Sequence, residues 1–184
     1  MRKIMIVDDN YLSAEGIEKN IDWEVLNAEI VHICYNGTSA IEAMKKEPVD
    51  LIISDIEMPD LDGISMSRQA LDINPMVKII LISAYDKFEY ARRALLLGAL
   101  DYIEKPLDYA YLIQKVKNAF ALMEREQKNL QLLKQSRPLL IEKFFRDITH
   151  RSRQEASYRL KPYLNYLNLK LDYDFYNVVI LELE

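Results

Sequence analysis

The sequence predicts an α/β fold in which helices cover both faces of a doubly wound, five-stranded parallel sheet. Five short apolar runs recur in the first part of the chain, and segments with helical spacing separate them. Parallel strands need long crossover connections, which are usually helices, so this alternation predicts a parallel sheet. After residue 107 the pattern changes to a long helical extension and then to the start of a second α/β or α+β domain.

The strands are predicted where apolar, β-prone residues cluster between turn signals. In chain order they are Ile4–Val7, Glu29–Ile33, Val49–Ser54, Val77–Ile82 and Leu100–Ile103. The first, third and fourth runs are apolar on both faces, as expected of buried parallel strands.

Helices are predicted between these strands, at Leu12–Asn20, Thr38–Lys46, Ile64–Asp72 and Lys87–Leu97. Glycine and proline signals fall between the proposed elements, as they do at real boundaries. These signals are Asn36-Gly37, Pro48, Pro59 with Gly63, Asn74-Pro75 and Gly98.

The extension begins with a predicted linker helix over residues 107–136, because no strong helix breaker occurs before Pro138. Its apolar positions recur at spacings of 3, 4 or 7, which fits either a short coiled coil with a second copy or a helix packed on its own domain. These positions are Leu112, Val116, Phe120, Met123, Leu130 and Leu133.

Over residues 137–184 the sequence predicts helices at Leu139–Thr149 and Arg153–Leu167, followed by a terminal strand. A lone strand needs a sheet to join, so we expect a truncated middle domain in a longer protein.

Composition excludes several classes of protein. The single cysteine, Cys34, has no disulfide partner, and the two histidines are too far apart for a zinc site, so we expect a reducing, cytoplasmic setting. The apolar run after Met1 is too short for a signal peptide or a membrane span, so no membrane partner is expected. The net charge of −5 is unevenly divided, with −8 in residues 1–106 and +3 in residues 107–184, and the acidic first part favours a cation site over a nucleic-acid surface.

Polar side chains follow four of the five predicted strands. Asp8 and Asp9 end the first strand, Asp55 ends the third, Ser83 closes the fourth and Lys105 follows the fifth. Carboxyl ends of parallel strands meet at one edge of a sheet, where ligands bind, so we expect these groups to converge.

The convergence predicts a Mg²⁺-dependent phosphoryl chemistry. Clustered carboxylates repel one another, and a hard divalent cation with oxygen ligands relieves that repulsion. An ionised aspartate beside Mg²⁺ is a usable nucleophile for a phosphoryl group, and Lys105 and Ser83 supply a positive charge and a hydroxyl donor.

Each of these residues alone has an ordinary structural explanation. Asp8, Asp9 or Ser83 would serve as a helix cap, and Lys105-Pro106 as a simple strand exit. Their joint occurrence, in order, at the ends of four strands is what favours a functional site.

The motifs "MIVDDN", "LIISDIEMPDLDG", "KIILISAY" and "DYIEKPLD" together resemble the receiver domain of two-component response regulators, over about residues 1–120. The resemblance implies a flavodoxin-like fold with Asp55 as phospho-acceptor. It implies that Asp8, Asp9, Asp55 and the backbone carbonyl of Glu57 hold Mg²⁺. It also implies that Ser83 and Lys105 bind the phosphoryl group and that Ser83 and Tyr102 form the conformational switch.

Two longer stretches, "NIDWEVLNAEIVHICYNGTSA" and "AYDKFEYARRALLLGALDYIEKPLD", resemble receivers attached to AraC-type DNA-binding domains. That resemblance implies a sensor histidine kinase as partner and transcriptional control through a C-terminal DNA-binding domain absent from these 184 residues. We also predict a homodimer, formed either through the long helix or through the switch face of the receiver.

The sequence disfavours two alternative functions. A haloacid-dehalogenase-like phosphatase needs a second aspartate two residues after its nucleophile. Two residues after Asp55 the chain has Glu57, and two residues after Asp8 it has Asn10. We therefore expect no enzyme. A pseudo-receiver used only for assembly is disfavoured by the complete set of pocket residues.

Overall fold

The computed structural model describes residues 1–84 and 100–149. Within these ranges the strands are β1 Arg2–Val7, β2 Ala28–Cys34, β3 Leu51–Asp55, β4 Lys78–Ser83 and β5 Asp101–Glu104. The helices are α1 Tyr11–Asn20, α2 Gly37–Lys46, α3 Gly63–Ile73 and α4 Tyr109–Thr149. The predicted helices Lys87–Leu97 and Arg153–Leu167 and the predicted terminal strand lie outside the described residues.

The five strands form one sheet in the order β2-β1-β3-β4-β5, and every neighbouring pair is parallel. The predicted doubly wound fold is therefore confirmed. The chain moves outward from β1 to β2 and then returns past β1 to β3, which puts the topological switch point between β1 and β3. Ligands bind at that point in open α/β sheets, beyond the carboxyl ends of the strands.

Each face of the sheet has its own apolar core, because alternate side chains of a strand point to opposite faces. Met5, Val7 and Ile52 pack in the core that α2 and α3 cover. Ile4 and Ile53 pack in the core that α1 and the first part of α4 cover. The central strands are apolar throughout because both of their faces are buried.

Side-chain oxygens cap the first turns of the helices, and each accepts a hydrogen bond from a backbone amide. The cap-to-amide distances are 3.0 Å for Asn10 to Leu12, 2.7 Å for Asn36 to Ser39, 2.8 Å for Asp62 to Ser65 and 2.8 Å for Asp108 to Ala110. Asn10 caps α1, so the capping explanation for Asp8 and Asp9 is wrong.

α4 is longer than the sequence predicts, since it continues from Tyr109 to Thr149 and passes Pro138. An interior proline removes one helical hydrogen bond and crowds the preceding turn, at a cost of about 3 kcal/mol. Leucines and other good helix formers surround Pro138, so the neighbouring turns sustain the helix despite that loss.

The predicted apolar stripe of α4 is buried as far as Met123, whereas Leu130 and Leu133 are about half exposed, at 47% and 48%. The chain divides into two compact units, Met1–Met123 and Glu124–Glu184. Among the described residues, no helix is both long enough and apolar enough to cross a membrane.

Candidate functional site

The end of β1 supplies two carboxylates to the carboxyl edge of the sheet. The backbone amide of Asp8 donates a hydrogen bond to the carbonyl of Cys34 at 3.1 Å, which fixes the exit of β1 against β2. Asp8 Oδ1 accepts a hydrogen bond from the amide of Asn10 at 2.9 Å. The Asp8 side chain is buried and that of Asp9 is exposed. One carboxylate therefore lies inside the pocket and the other at its opening.

Asp55 is the last residue of β3, and it is 7% exposed. Its Oδ1 accepts a hydrogen bond from the amide of Glu57 at 3.2 Å, and the amide of Ile56 donates to the carbonyl of Ile82 at 2.9 Å. A Cβ at Gly63 would lie 2.1 Å from the Asp55 carbonyl oxygen, so only glycine fits there. The turn that presents Asp55 is thus held from both sides.

Lys105 bridges the carboxylates from the far side of the pocket. Its Nζ lies 2.6 Å from Asp55 Oδ2 and 3.2 Å from Asp8 Oδ2. The amide of Lys105 donates to the carbonyl of Ser83 at 2.8 Å, so β4 positions the start of the segment that carries the ammonium group. The structure brings together Asp8, Asp55 and Lys105 from three strand ends, as predicted.

Burial and charge oppose each other in this pocket. Burial raises the pKa of Asp8, and the nearby Asp55 charge adds to the rise, while the Asn10 hydrogen bond and the Lys105 charge offset part of it. For Lys105, burial alone would lower the pKa, but hydrogen bonding and charge from Asp55 and then Asp8 outweigh it, and the pKa is raised. Lys105 therefore stays charged, and among the described residues its one positive charge faces the three carboxylates of Asp8, Asp9 and Asp55.

The three carboxylates form a group suited to a hard cation. One oxygen from each of Asp8, Asp9 and Asp55 lies within 4.8 Å of the other two. Oxygens bound to Mg²⁺ lie at about 2.1 Å from the ion in an octahedron, so neighbouring ligand oxygens are about 3.0 Å apart and opposite ones about 4.2 Å apart. Three carboxylate oxygens grouped within 4.8 Å of one another would therefore move closer together around an ion. Oxygen-only donors and an excess of negative charge fit Mg²⁺.

The other three residues predicted for the site, Ser83, Tyr102 and Glu57, lie on β4, on β5 and in the segment after β3. Ser83 is fully buried at the end of β4, where it pairs in register with Glu104. Tyr102 is half-buried on β5 beside Leu81 and packs against the core under α2 and α3. Glu57 is half-buried, two residues after Asp55.

An ion pair that was not predicted from the sequence links β5 to α4. Lys115 Nζ lies 2.6 Å from Asp101 Oδ2 and 4.8 Å from the centre of the Tyr111 ring. The hydrogen bond with Asp101, followed by that with Tyr111, raises the pKa of Lys115. No spacing rule connects a strand residue with a residue on the following helix, so the sequence carries no signal for this pair.

Comparison with known proteins agrees with this geometry. Residues 4–117 match the family described as the response regulator receiver domain. The chain therefore belongs to the response regulator receiver domain family, as the sequence motifs predicted.

Individual relatives include transcriptional regulators. The chain is 29% identical over 126 residues to the uncharacterized transcriptional regulatory protein YesN of Bacillus subtilis, covering 68% of this chain and 34% of that protein. It is 33% identical over 116 residues to the chemotaxis protein CheY of Treponema pallidum, covering 62% of this chain and 79% of that protein. The chain thus spans about a third of the length of YesN.

Solved structures with the same fold include receivers of AraC-type regulators. The receiver domain of AraT from Geobacillus stearothermophilus superposes with a TM-score of 0.65 and 35% identity, covering 68% of this chain and 98% of that one. A two-component transcriptional regulator AraC from Clostridium phytofermentans gives a TM-score of 0.62 and 29% identity, covering 70% and 99%. The homologues therefore include transcriptional response regulators of the AraC and YesN type.

Proposed function

We propose that this chain accepts a phosphoryl group on Asp55, with Mg²⁺ bound beside it, and acts as the switch of a two-component response regulator. The observation that carries the proposal is the grouping of Asp55 with Asp8, Asp9 and Lys105. The Asp55 carboxylate contacts an ammonium at 2.6 Å and lies within 4.8 Å of two further carboxylates. That arrangement supplies a nucleophile, a set of cation ligands and a positive charge in one pocket.

The chemistry assigns a role to each residue. A carboxylate oxygen of Asp55 attacks phosphorus, the new O–P bond forms, and the bond between phosphorus and the donor group breaks. Asp8, Asp9, Asp55 and the Glu57 backbone carbonyl would hold Mg²⁺, and the bound ion would supply positive charge for the transferring oxygens. Lys105 and Ser83 bind the phosphoryl oxygens, and Lys105 gives up its contact with Asp55 Oδ2 to do so.

The bound phosphoryl group then shifts the population of two conformers. It favours the conformer in which the Ser83 hydroxyl has moved toward it, and the space released lets the Tyr102 ring turn inward. Tyr102 is half-buried on β5, at a position where an inward rotation would change the surface beside the strand. No catalytic turnover is needed, since the phosphorylated state is itself the signal.

The wider assignment rests on the relatives. We infer that a sensor histidine kinase supplies the phosphoryl group in the cytoplasm and that the chain works as a homodimer. A C-terminal DNA-binding domain outside these 184 residues then controls transcription. In this organisation residues 1–120 form the receiver, 107–136 a linker helix and 137–184 part of a middle domain. The transcriptional relatives support this extension.

The proposal is tested by incubating the chain with acetyl phosphate and Mg²⁺ and measuring its intact mass. We expect one added phosphoryl group on the wild type and none on Asp55→Asn. Asp60→Asn is the matched control, because Asp60 is an exposed acid in the same loop and should leave labelling unchanged. Equal labelling of the wild type and Asp55→Asn would refute the assignment.

A further inference from the structure

The first residue of α2 packs against the loop that follows the acceptor strand. This β3–α3 loop comprises residues 56–62. A Cβ at Gly37 would lie 2.5 Å from the carbonyl oxygen of Leu61 and 3.0 Å from its Cβ and Cγ. Real side chains do not approach backbone oxygens that closely, so a residue other than glycine at position 37 displaces either the helix or the loop.

α2 is the less movable of the two partners. Ala40, Ile41 and Met44 on the same helix are buried in the core, and Asn36 caps it through the amide of Ser39 at 2.7 Å. Displacing α2 would disturb this close-packed interface along the whole helix. A side chain at position 37 therefore pushes on Leu61 and the β3–α3 loop.

The β3–α3 loop is directly connected to the cation site. Near its start, the amide of Glu57 donates to Asp55 Oδ1 at 3.2 Å. At its end, the amide of Gly63 donates to the carbonyl of Ile56 at 2.9 Å. The amide of Leu61 donates to the carbonyl of Pro59 at 2.8 Å. The Gly63–Ile56 and Leu61–Pro59 bonds each span only a few residues and make the loop compact, so we expect a shift at Leu61 to reach Glu57.

We propose that Gly37 is a positioning residue for the cation site. By lacking a side chain, it lets α2 support Leu61 and so keeps the Glu57 carbonyl where Mg²⁺ needs it. Gly37 is not among the residues that would hold the cation or the phosphoryl group. The inference rests on the proposed function, because it concerns the same site.

The test is Gly37→Ala in the full 184-residue chain, with Thr38→Ala as the matched control. Thr38 is the next residue of α2 and is exposed. Alanine has a higher helix propensity than glycine, so the substitution should not weaken α2 itself. A loss of Mg²⁺ affinity in Gly37→Ala would therefore come from the collision of the new side chain with Leu61. By calorimetry we expect Mg²⁺ affinity to fall about tenfold or more in Gly37→Ala and to stay within about twofold in Thr38→Ala.

Two further readouts separate positioning from a general loss of structure. Amides of the β3–α3 loop should exchange hydrogen faster in metal-free Gly37→Ala, whereas those of β1 and β4 should be unchanged. The Mg²⁺ concentration that gives half-maximal phosphoryl uptake should rise by the same factor as the calorimetric dissociation constant.

A folded Gly37→Ala protein with wild-type Mg²⁺ affinity would overturn the inference. If Gly37→Ala does not fold, Leu61→Ala decides, because it leaves Gly37 in place and removes the Leu61 Cγ that lies beside it. We expect it to weaken Mg²⁺ binding severalfold, and wild-type affinity in Leu61→Ala would then overturn the inference. A wild-type chain that neither binds Mg²⁺ nor takes up phosphate would instead refute the proposed function.

Discussion

Asp8 illustrates the conflict between stability and function in this pocket. It is 1% exposed, and burial is the main reason why its pKa is raised. A raised carboxylate pKa means that the native state holds the proton more tightly than the unfolded chain does. The ionised Asp8 that a cation requires therefore lowers the stability of the metal-free protein near neutral pH.

Asp8→Asn should make the metal-free protein more stable and abolish its response to Mg²⁺. The amide removes a buried negative charge beside Asp55 and keeps an oxygen that can accept the Asn10 hydrogen bond. We expect an increase of about 1 kcal/mol in the free energy of unfolding at pH 7.5, the usual size of a single-site effect. Urea unfolding with and without Mg²⁺ measures both effects, and a less stable metal-free variant would contradict the account.

Mg²⁺ affinity should fall with decreasing pH, and the fall should begin above the ordinary aspartate pKa of about 3.9. Protons compete with the cation for Asp8, whose pKa is raised by burial. Over the same range the metal-free protein should become more stable, because the native state binds more protons than the unfolded chain. Calorimetric Mg²⁺ titrations from pH 7 down to about pH 4 test this, and affinity that stays constant down to the ordinary aspartate pKa would contradict it.

The strand ends were easier to predict from the sequence than the strand beginnings. β1, with its apolar run followed by Asp8, ends where predicted, because the polar site residues mark the carboxyl edge. β3 begins at Leu51 although the apolar run begins at Val49. Val49 is buried without belonging to the strand, so hydrophobicity alone does not mark the start.

α4 shows the limit of a local rule. Proline predicted a break, but the helix passes Pro138. Proline weakens a helix locally, and the sequence does not reveal whether the neighbouring turns offset that loss.

Pro138→Ala should therefore strengthen α4 at the point where the proline interrupts its hydrogen bonds. A helix interior favours alanine over proline by about 3 kcal/mol, in part because alanine restores an amide donor, so hydrogen exchange over residues 134–142 should slow by at least tenfold. Gln135→Ala, at an exposed position one turn earlier, is the control and should leave exchange nearly unchanged. Equal exchange in Pro138→Ala and the wild type would contradict a continuous helix.

Contacts between distant parts of the chain are what sequence analysis could not supply. The motifs predicted that Asp8, Asp55 and Lys105 converge, because the topology of a parallel sheet forces their strand ends together. Gly37 was used only as a turn signal, yet in the structure its missing Cβ makes room for Leu61. Such a contact depends on distances between backbones, which residue types do not encode.

Dimerisation through the outer part of α4 remains a prediction for the whole molecule. Leu130 and Leu133 are about half exposed and three residues apart on one face, as in a coiled-coil seam. In the presence of beryllofluoride and Mg²⁺ we expect a dimer by sedimentation and a monomer for the double variant Leu130→Lys with Leu133→Lys. Lys128→Ala with Gln131→Ala is the control. A wild type that stays monomeric at high concentration, with and without beryllofluoride, would contradict the prediction.

The most direct test of the central claim is to locate the phosphoryl group on the chain. After incubation with acetyl phosphate and Mg²⁺, borohydride reduction converts an acyl phosphate of aspartate to homoserine, which peptide mass spectrometry assigns to one position. The account predicts that residue 55 alone is converted and that omitting Mg²⁺ prevents the conversion. Conversion at Asp8 or Asp9, or at residue 55 to the same extent without Mg²⁺, would contradict it.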